Sequence, residues 1–354
     1  MVRKAGLKLK SLGWKGKGMQ NRELVKIGKE VDLPLTGALP FGVIDRGTNL
    51  LQIRPVSGCN LSCPFCSVDE GPIGDKAARY EVSLDYMLEY AKAVAERKES
   101  RRLEMHIDGC GEPLLYPKTV ELVEGLSSLD KTEVVSLQTN GTLLDEEKIS
   151  KLEDAGLDRM NLTINSLEEK LAVELAGTED YDLEAVLESA ERVARGETDL
   201  LIAPVWIEGV TGAEIKKIIE YAKEIGAGES WPSLGIQKYR EHKNGRKVDS
   251  SEEVSWKEFF ENLEKLEKKH GIKLGLKPRD FDMKKVGFAL PKVFERGEKV
   301  NMKVLAQGWN PGQKLAVSNH RTVTVVNGDE VSLGQDARVE ILRNRHNLYL
   351  GMAV

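Results

Sequence analysis

The sequence has few cysteines, few histidines and no long apolar run. Only four of its 354 residues are cysteine and five are histidine, and aromatic residues make up 6%. The longest apolar run, Leu200 to Ile207, has eight residues, whereas a helix that spans a bilayer needs about 20. The first residues are basic but lack the apolar stretch of a secretory signal, and the cysteines do not form a disulfide framework. We therefore expect a cytoplasmic protein without membrane spans.

Three of the four cysteines lie within one eight-residue stretch, as Cys59, Cys63 and Cys66 in the pattern C-x3-C-x2-C. Three soft thiolates that converge suit an iron–sulfur cluster or zinc. An electron-transfer [4Fe–4S] site and a structural zinc site each use four protein ligands. The nearest histidine, His106, follows forty residues later, far from zinc-knuckle spacing. The pattern favours a cluster with one iron left open to a ligand that is not protein; a zinc knuckle and a ferredoxin-like site are the alternatives.

The middle of the chain alternates strands and helices. Predicted strands cover 50–55, 103–108, 133–140, 159–165, 200–207 and 234–239, and predicted helices cover 83–97, 116–127, 145–155, 182–195, 212–225 and 252–270. Six such units predict an α/β fold with a parallel sheet. One face of each strand is polar, unlike a sheet buried on both faces or a closed barrel filled with Val, Ile and Leu. We expect a partial (β/α)6 barrel with a polar lumen; the alternative is a one-sided sheet facing water.

Two motifs follow the first two strands and carry a family resemblance. The cysteine pattern has an aromatic residue, Phe65, before its last cysteine, and the second strand ends in Asp108-Gly-Cys-Gly-Glu-Pro113. Together they resemble the signatures of the radical S-adenosylmethionine (radical SAM) enzymes, although Cys110 departs from the G-G-E-P motif. The resemblance implies a [4Fe–4S] cluster on Cys59, Cys63 and Cys66, whose open iron chelates SAM. The reduced cluster then cleaves SAM to a 5′-deoxyadenosyl radical.

The same resemblance implies roles for residues at the strand ends. Gly109 and Gly111 would let the backbone approach a ligand closely, and Glu112 would accept the ammonium group of SAM. The implied SAM contacts are Phe65, Gly111, Glu112, Pro113, Gln138, Asn140, Thr163 and Asn165. The candidate catalytic residues are His106, Asp108 and Tyr239, with Gln237 and Arg54 as further substrate contacts; the alternative for each is a hydrogen-bonded barrel residue without a catalytic part. A reductant such as ferredoxin or flavodoxin is implied as a partner.

The cysteine count limits the subtype. Only Cys110 remains after the three motif cysteines. A second, auxiliary cluster would need about three or four more thiolates, and rRNA methylases that pass a methyl group through cysteine use two more. We expect Cys110 to be a small buried thiol beside the SAM site.

After Pro291 the pattern changes to short strands, at 298–306, 313–318, 321–326 and 337–343. Such strands predict a small β-barrel, and residues 328–341 resemble a TRAM domain, an RNA-binding barrel. Barrels of this type bind RNA through basic and aromatic side chains. The candidates are Trp309, His320, Arg321, Arg343, Arg345, His346 and Tyr349. The alternative is a barrel that only caps the catalytic domain or dimerises.

Charge is unevenly distributed along the chain. Residues 1–22 carry seven Lys or Arg and no acid, and residues 291–354 carry nine against six acids, although the net charge is −5. Basic ends on an acidic central part of the chain would bind a polyanion. The alternative is that the N-terminal residues are a solvated tail without a binding role.

These observations give three predicted domains: a basic N-terminal arm and cap (1–45), a radical SAM partial barrel with an accessory helix (46–290) and a TRAM-like barrel (291–354). We expect an enzyme that modifies a nucleotide in tRNA or rRNA, with the target base unstacked into the lumen. Deleting residues 295–354 should then abolish turnover on RNA and leave SAM cleavage intact. The alternatives are a radical SAM enzyme acting on a protein, lipid or small metabolite, and a non-catalytic iron–sulfur RNA-binding module.

Overall fold

The computed structural model describes residues 22–249 and 251–354, so the predicted basic arm at 1–21 lies outside the described residues. Its strands are β1 (Glu23–Ile27), β2 (Gly42–Asp45), β3 (Leu50–Arg54), β4 (Ala78–Val82), β5 (Leu103–Ile107), β6 (Thr132–Thr139), β7 (Arg159–Leu162), β8 (Asp199–Ile202), β9 (Val205–Trp206), β10 (Gln237–Lys238), β11 (Lys299–Gln307), β12 (Lys314–Ser318), β13 (Arg321–Val325), β14 (Asp336–Arg343) and β15 (Tyr349–Ala353). The helices are α1 (Leu84–Glu96), α2 (Thr119–Ser127), α3 (Glu146–Asp154), α4 (Glu169–Ala176), α5 (Leu183–Ala194), α6 (Gly212–Glu224) and α7 (Trp256–His270).

The central sheet has six strands in the order β2-β3-β5-β6-β7-β8. From β3 to β8 all pairs are parallel, and β2 is an antiparallel edge strand. The short strand β10 pairs in parallel with β9 and continues the curve beyond β8. The predicted strands and helices therefore exist in the predicted order. The sequence interpretation missed β2, α4 and the parallel pair β1–β4.

The two faces of this sheet differ as the alternating pattern predicts. Leu51, Met105 and Leu137 point to the helix side and are fully buried. The helices present apolar residues at helical spacing to this face, as in α5, where Val186, Ala190 and Val193 are buried. The other face carries polar side chains that bond to one another across strands. The six-stranded sheet is open rather than closed. Its polar face lines the inside of the partial barrel, which is called the lumen below.

The C-terminal strands form a closed five-stranded barrel in the order β11-β12-β13-β15-β14. The fifth strand, β15, was missed by the sequence interpretation. The barrel is joined to the rest of the chain by backbone hydrogen bonds such as Thr322 N to Thr36 O and Tyr349 N to Gly37 O, both 2.9 Å. Trp309 and Leu315 belong to the main apolar core. The barrel therefore shares a core with the α/β part of the chain.

The contact between the barrel and the rest of the chain shows that part of the predicted RNA-binding surface is wrong. Trp309, Arg321 and Tyr349 are buried, so their side chains cannot stack on or pair with a nucleic acid. The guanidinium of Arg321 instead donates to the carbonyl oxygen of Pro291. Of the other candidates, His320, Arg343 and Arg345 are exposed and His346 is half-buried.

In the described parts of the chain, no helix is both long enough and apolar enough to cross a bilayer.

Candidate active site

The three motif cysteines lie in a segment that connects β3 to β4, residues 55–77, called the cysteine loop below. It begins at the C-terminal end of β3, next to the ends of the other parallel strands. The end of β5 contacts it directly: Gly58 N donates to Cys110 O (3.1 Å) and Glu112 N donates to Gly58 O (2.8 Å). The two predicted motifs are thus in backbone contact.

Gly111 makes this contact possible. Its φ is +137°, and a side-chain carbon there would overlap the carbonyl oxygen of Gly58. A glycine is required because one backbone passes against another. The sequence analysis predicted that Gly111 allows a close backbone approach to a ligand. In the structure, the group that approaches Gly111 is the cysteine loop. Gly109 has no such constraint.

The end of helix α4 also holds the cysteine loop. Ser62 N donates to the carbonyl oxygen of Ala176 (2.9 Å). The helix ends at Gly177, whose φ is +68° and whose missing side chain leaves room for the carbonyl of Ser62. Sequence reasoning missed α4, so this support was not foreseen.

A third support is residues 239–249, called the mouth loop, which follow β10. Arg246 Nε donates to Cys63 O (2.7 Å), Nη2 donates to Glu70 O (2.7 Å), and Nη1 pairs with Asp69 (2.9 Å). Arg246 N also donates to Cys66 O (2.8 Å). One arginine thus binds the loop on both sides of its last cysteine. No sequence motif pointed to it.

A fourth support comes from the C-terminal barrel. Trp309 Nε1 donates to Glu70 Oε1 (2.6 Å), and Arg22 Nη1 pairs with Glu70 Oε2 (2.7 Å). The side chains of Arg22 and Glu70 are 1% and 0% exposed. The carboxylate is therefore fully buried between a guanidinium and an indole, at the end of the cysteine loop.

These supports surround a cavity of about 510 Å³, within the usual range of small-molecule sites. Its lining contains the three motif cysteines and most of the residues proposed for SAM: Phe65, Gly111, Glu112, Gln138, Asn140, Thr163 and Asn165. The structure thus brings these strand-end and loop positions together, although they are far apart in the sequence, and Asp108 and Tyr239 also line the cavity. Pro113 is not part of the lining; it begins a short 3₁₀ turn that Glu112 caps through Leu114 N.

Glu112 is a buried carboxylate on the cavity wall. It accepts hydrogen bonds from Thr139 Oγ1 (2.7 Å), Asn140 N (2.7 Å) and Leu114 N (3.0 Å). Burial raises the pKa of Glu112 above its usual value, and these hydrogen bonds offset only part of that effect. A carboxylate with four lone-pair sites and three donors retains one site, which suits an ammonium group from a ligand.

The polar ends of β6 and β7 are ordered by bonds among themselves. Gln138 Nε2 donates to Thr163 Oγ1 (3.1 Å), and Asn140 Nδ2 donates to Asn60 Oδ1 (3.0 Å) on the cysteine loop. Asn165 Oδ1 accepts from Val205 N (2.8 Å). These side chains are held in place and still face the cavity, as a polar ligand requires.

The donor set fits an iron–sulfur cluster. Burial raises the pKa of Cys59, and burial together with Cys66 raises the pKa of Cys63 to about 12. Buried thiols of this kind lose their protons when a metal supplies positive charge. No group of three His, Cys, Asp or Glu side chains within 22–249 and 251–354 is arranged to hold a single metal ion; a cluster's cysteines bind different irons, so that finding does not bear on a cluster.

Cys110 is separate from this set and is absent from the cavity lining. Its sulfur lies 3.4 Å from Arg54 Nη1 and is buried. Burial raises the pKa of the Cys110 thiol to about 12, against the opposing effect of Arg54. It is a buried thiol, as expected, and not a fourth ligand.

The candidate catalytic residues occupy different environments. Asp108 lines the cavity but is held by Arg54 through two bonds of 2.9 Å. Burial would raise the pKa of Asp108, yet the Arg54 guanidinium outweighs it and holds the pKa below its usual value. Tyr239 lines the cavity with its hydroxyl accepting from Val248 N (3.1 Å).

His106 does not line the cavity. Its Nδ1 is 2.7 Å from Ser136 Oγ, which donates to the buried Glu104. Burial lowers the pKa of His106. The imidazole belongs to a polar network that fills the lumen below the cavity, which is the alternative that the sequence left open for it.

Comparison with known proteins gives the class. Residues 53–222 match the Radical SAM superfamily. An uncharacterised protein of Methanocaldococcus jannaschii is 37% identical over 91% of this chain and 79% of its own length. A probable GTP 3′,8-cyclase of Methanothermobacter marburgensis is 30% identical over 53% of this chain, and a GTP 3′,8-cyclase of Chlorobaculum tepidum is 27% identical over 51%. The chain spans 61% and 51% of the length of these two cyclases.

Among solved structures, anSMEcpe with bound AdoMet is 23% identical, with 61% of this chain and 56% of that chain aligned at a TM-score of 0.47. Residues 53–222 therefore form a radical SAM domain. Enzymes of this superfamily bind a [4Fe–4S] cluster and S-adenosylmethionine and use a reductant, which confirms the cofactor prediction.

Proposed function

We propose that this chain is a radical SAM enzyme that modifies a nucleotide in tRNA or rRNA. Cys59, Cys63 and Cys66 would hold the cluster, and Glu112 would receive the ammonium group of SAM. When bound, these cofactors supply the radical chemistry. The chain's own residues bind and orient the substrate and keep water out of the cavity.

Within this proposal, Phe65, Gln138, Asn140, Thr163 and Asn165 contact SAM. Gly111 acts through the cysteine loop, because its backbone positions Gly58. Asp108 and Tyr239 are substrate contacts at the cavity wall. His106 keeps Ser136 and the lumen network in place.

The observation that carries the RNA proposal is a cationic patch where the barrel meets the edge strand β2. It consists of the guanidinium groups of Arg46, Arg343 and Arg345 around the imidazole of His346 and is called the edge patch. Burial lowers the pKa of His346, and the charges of Arg46, Arg345 and Arg343 lower it further. Such crowding of cations is relieved when an anion binds. Phosphate groups of RNA are the matching anions.

The edge patch is connected to the cavity. Arg46 Nε donates to Gln52 Oε1 (2.7 Å), and Gln52 Nε2 donates to Asp108 Oδ2 (2.5 Å). Asp108 lines the cavity. Arg46 adjoins the start of β3, whereas the cysteine loop follows its end. A base from a nucleic acid bound at the patch would therefore reach the cavity along the lumen.

The barrel supports the same proposal. Its strand order, with β13 parallel to β15 and all other neighbours antiparallel, matches a five-stranded OB-type barrel. We propose that it is a TRAM-like domain, and that the two boundaries between the three domains lie near residues 45 and 290. Its first loop is occupied by the Trp309 contact, so its RNA contacts would come from the edge patch.

Nucleoside mass spectrometry of tRNA and rRNA from a strain that lacks the gene, beside wild type, tests the proposal. A modified nucleoside that disappears, and returns only with an intact copy, is expected; a Cys59→Ala copy should fail to restore it. Identical nucleoside profiles would overturn the RNA proposal. In vitro, affinity for tRNA should fall steeply with salt.

A small nucleotide is the second candidate, favoured by the similarity to GTP 3′,8-cyclases over half of the chain. The cavity and Arg240 at its edge would suit a nucleoside triphosphate. Isothermal titration with GTP and with tRNA at matched salt separates the RNA proposal from the small-nucleotide proposal. Binding of GTP without binding of tRNA would favour a small nucleotide as the substrate.

A further inference from the structure

Helix α7 exposes two aromatic side chains that stack on each other. Trp256 is 51% and Phe260 is 48% exposed. Their ring centroids are 5.8 Å apart, with an interplanar angle of 24°. Between them in sequence, Phe259 is buried and meets both rings edge-on. Phe259 therefore anchors the helix to the core, and the stacked pair is left facing solvent.

The stacked pair adjoins the mouth loop. Lys238 Nζ lies 5.3 Å from the centre of the Trp256 ring and 2.6 Å from Glu253 Oε1. Glu253 also accepts from Glu241 N (3.2 Å) and lies 3.5 Å from Arg240. The platform is thus linked through one carboxylate to the loop that forms the rim of the cavity.

The rim is basic. The mouth loop, residues 239–249, contains four Lys or Arg and two acids. Arg240 and His242 line the cavity and are exposed, and Lys243 beside them is exposed as well. Exposed aromatic rings beside a basic loop form the combination that binds single-stranded nucleic acid, because bases stack on the rings while cations meet the phosphates.

We propose that Trp256 and Phe260 form a stacking platform for an unpaired RNA base that flanks the nucleotide in the cavity, with Arg240 and Lys243 on the adjoining phosphates. This inference rests on the proposed RNA substrate and adds a second contact surface, separate from the edge patch. A protein partner could use the same aromatic rings, but the basic rim favours a polyanion.

The test measures binding of the full chain to tRNA and to a short single-stranded oligoribonucleotide by fluorescence anisotropy over a range of salt concentrations. The double variant Trp256→Ala/Phe260→Ala should bind about tenfold more weakly or worse, with an unchanged salt slope. Trp256→Tyr/Phe260→Tyr should restore most of the affinity. Leu333→Ala, which removes another exposed apolar side chain, is the matched control and should leave affinity unchanged.

Arg240→Ala/Lys243→Ala should instead flatten the salt slope by about 1 to 2 units. Oligonucleotide should quench wild-type tryptophan fluorescence, and a Trp256→Phe variant should lose that quenching. Unchanged affinity of the aromatic double variant, while the wild type binds RNA, would overturn this inference alone. Failure of the wild type to bind RNA would overturn both proposals. Loss of self-association in sedimentation, with RNA affinity unchanged, would assign the platform to a second copy and also overturn it.

Discussion

The mouth loop and the C-terminal barrel both hold the cysteine loop, but they do so with different chemistry. The mouth loop uses Arg246, whose side chain is 15% exposed, and bonds mainly to backbone carbonyls around Cys63 and Cys66. The barrel uses Trp309 and reaches a single buried carboxylate, Glu70, that is also paired with Arg22. The first contact is local and beside the cavity. The second is part of the protein's core, so the barrel affects the stability of the whole fold.

The largest expected effect is deletion of residues 295–354. The barrel covers Thr36, Gly37 and Tyr80 and contributes Trp309 and Leu315 to the main core. We expect the truncated chain to be insoluble or to bind no iron, and hence to cleave no SAM. This replaces the sequence-based expectation that SAM cleavage survives the deletion. Iron content and 5′-deoxyadenosine release measure it; a soluble, iron-loaded truncation would show that the barrel is a separable module.

The next largest effect is expected from Glu70→Gln. The substitution keeps the shape of the side chain but leaves the buried Arg22 guanidinium without a counter-charge. Removing one partner of a buried ion pair typically costs about 3 to 5 kcal/mol. Thermal or urea unfolding of the anaerobically purified protein measures the loss. Asp75→Asn changes an exposed carboxylate of the same loop and should change stability little; equal effects from the two variants would contradict the role of the buried pair.

The sequence revealed the parts of this site that are local in the chain. The spacing of Cys59, Cys63 and Cys66, the glycine before Glu112 and the alternation along β5 to β7 all follow from short-range pattern. Most of the predicted SAM contacts line the cavity, because the ends of parallel strands meet at one edge of a sheet.

The sequence could not reveal contacts that depend on long-range packing. Trp309 looks like a stacking residue in isolation, and only its distance to Glu70, 239 residues away, identifies it as an anchor. Arg246 lies in a polar loop without a motif. His106 alternates with apolar neighbours as a lumen residue should, but its depth below the cavity depends on where the strand ends.

A smaller effect is expected from Trp309→Phe. The variant keeps an aromatic ring in the core and loses the hydrogen bond to Glu70. It also weakens the contact with Lys76, whose Nζ lies 4.5 Å from the ring centre. Loss of one donor to a charged group costs about 1.5 to 3 kcal/mol. The unfolding midpoint should fall less than in Glu70→Gln. The double variant Glu70→Gln/Trp309→Phe should be less than additive, because the indole bonds more weakly to the neutral amide that replaces the Glu70 carboxylate and so has less to lose. Full additivity would mean that the indole and the carboxylate act independently.

The smallest effect on global stability, and the most specific one, is expected from Arg246→Ala. The guanidinium holds carbonyls on a loop that can open locally without unfolding the sheet, so the unfolding free energy should change by about 1 kcal/mol. Cluster retention should change more, because Cys63 and Cys66 are the residues that lose support. Release of iron to a chelator and the electron paramagnetic resonance signal with and without SAM measure this. Lys247→Ala removes a neighbouring exposed cation that pairs with Glu241 and is the matched control. If Arg246→Ala lowered the unfolding free energy as much as Glu70→Gln while leaving iron release unchanged, the mouth loop would be a structural support like the barrel, and the distinction between the two regions would fail.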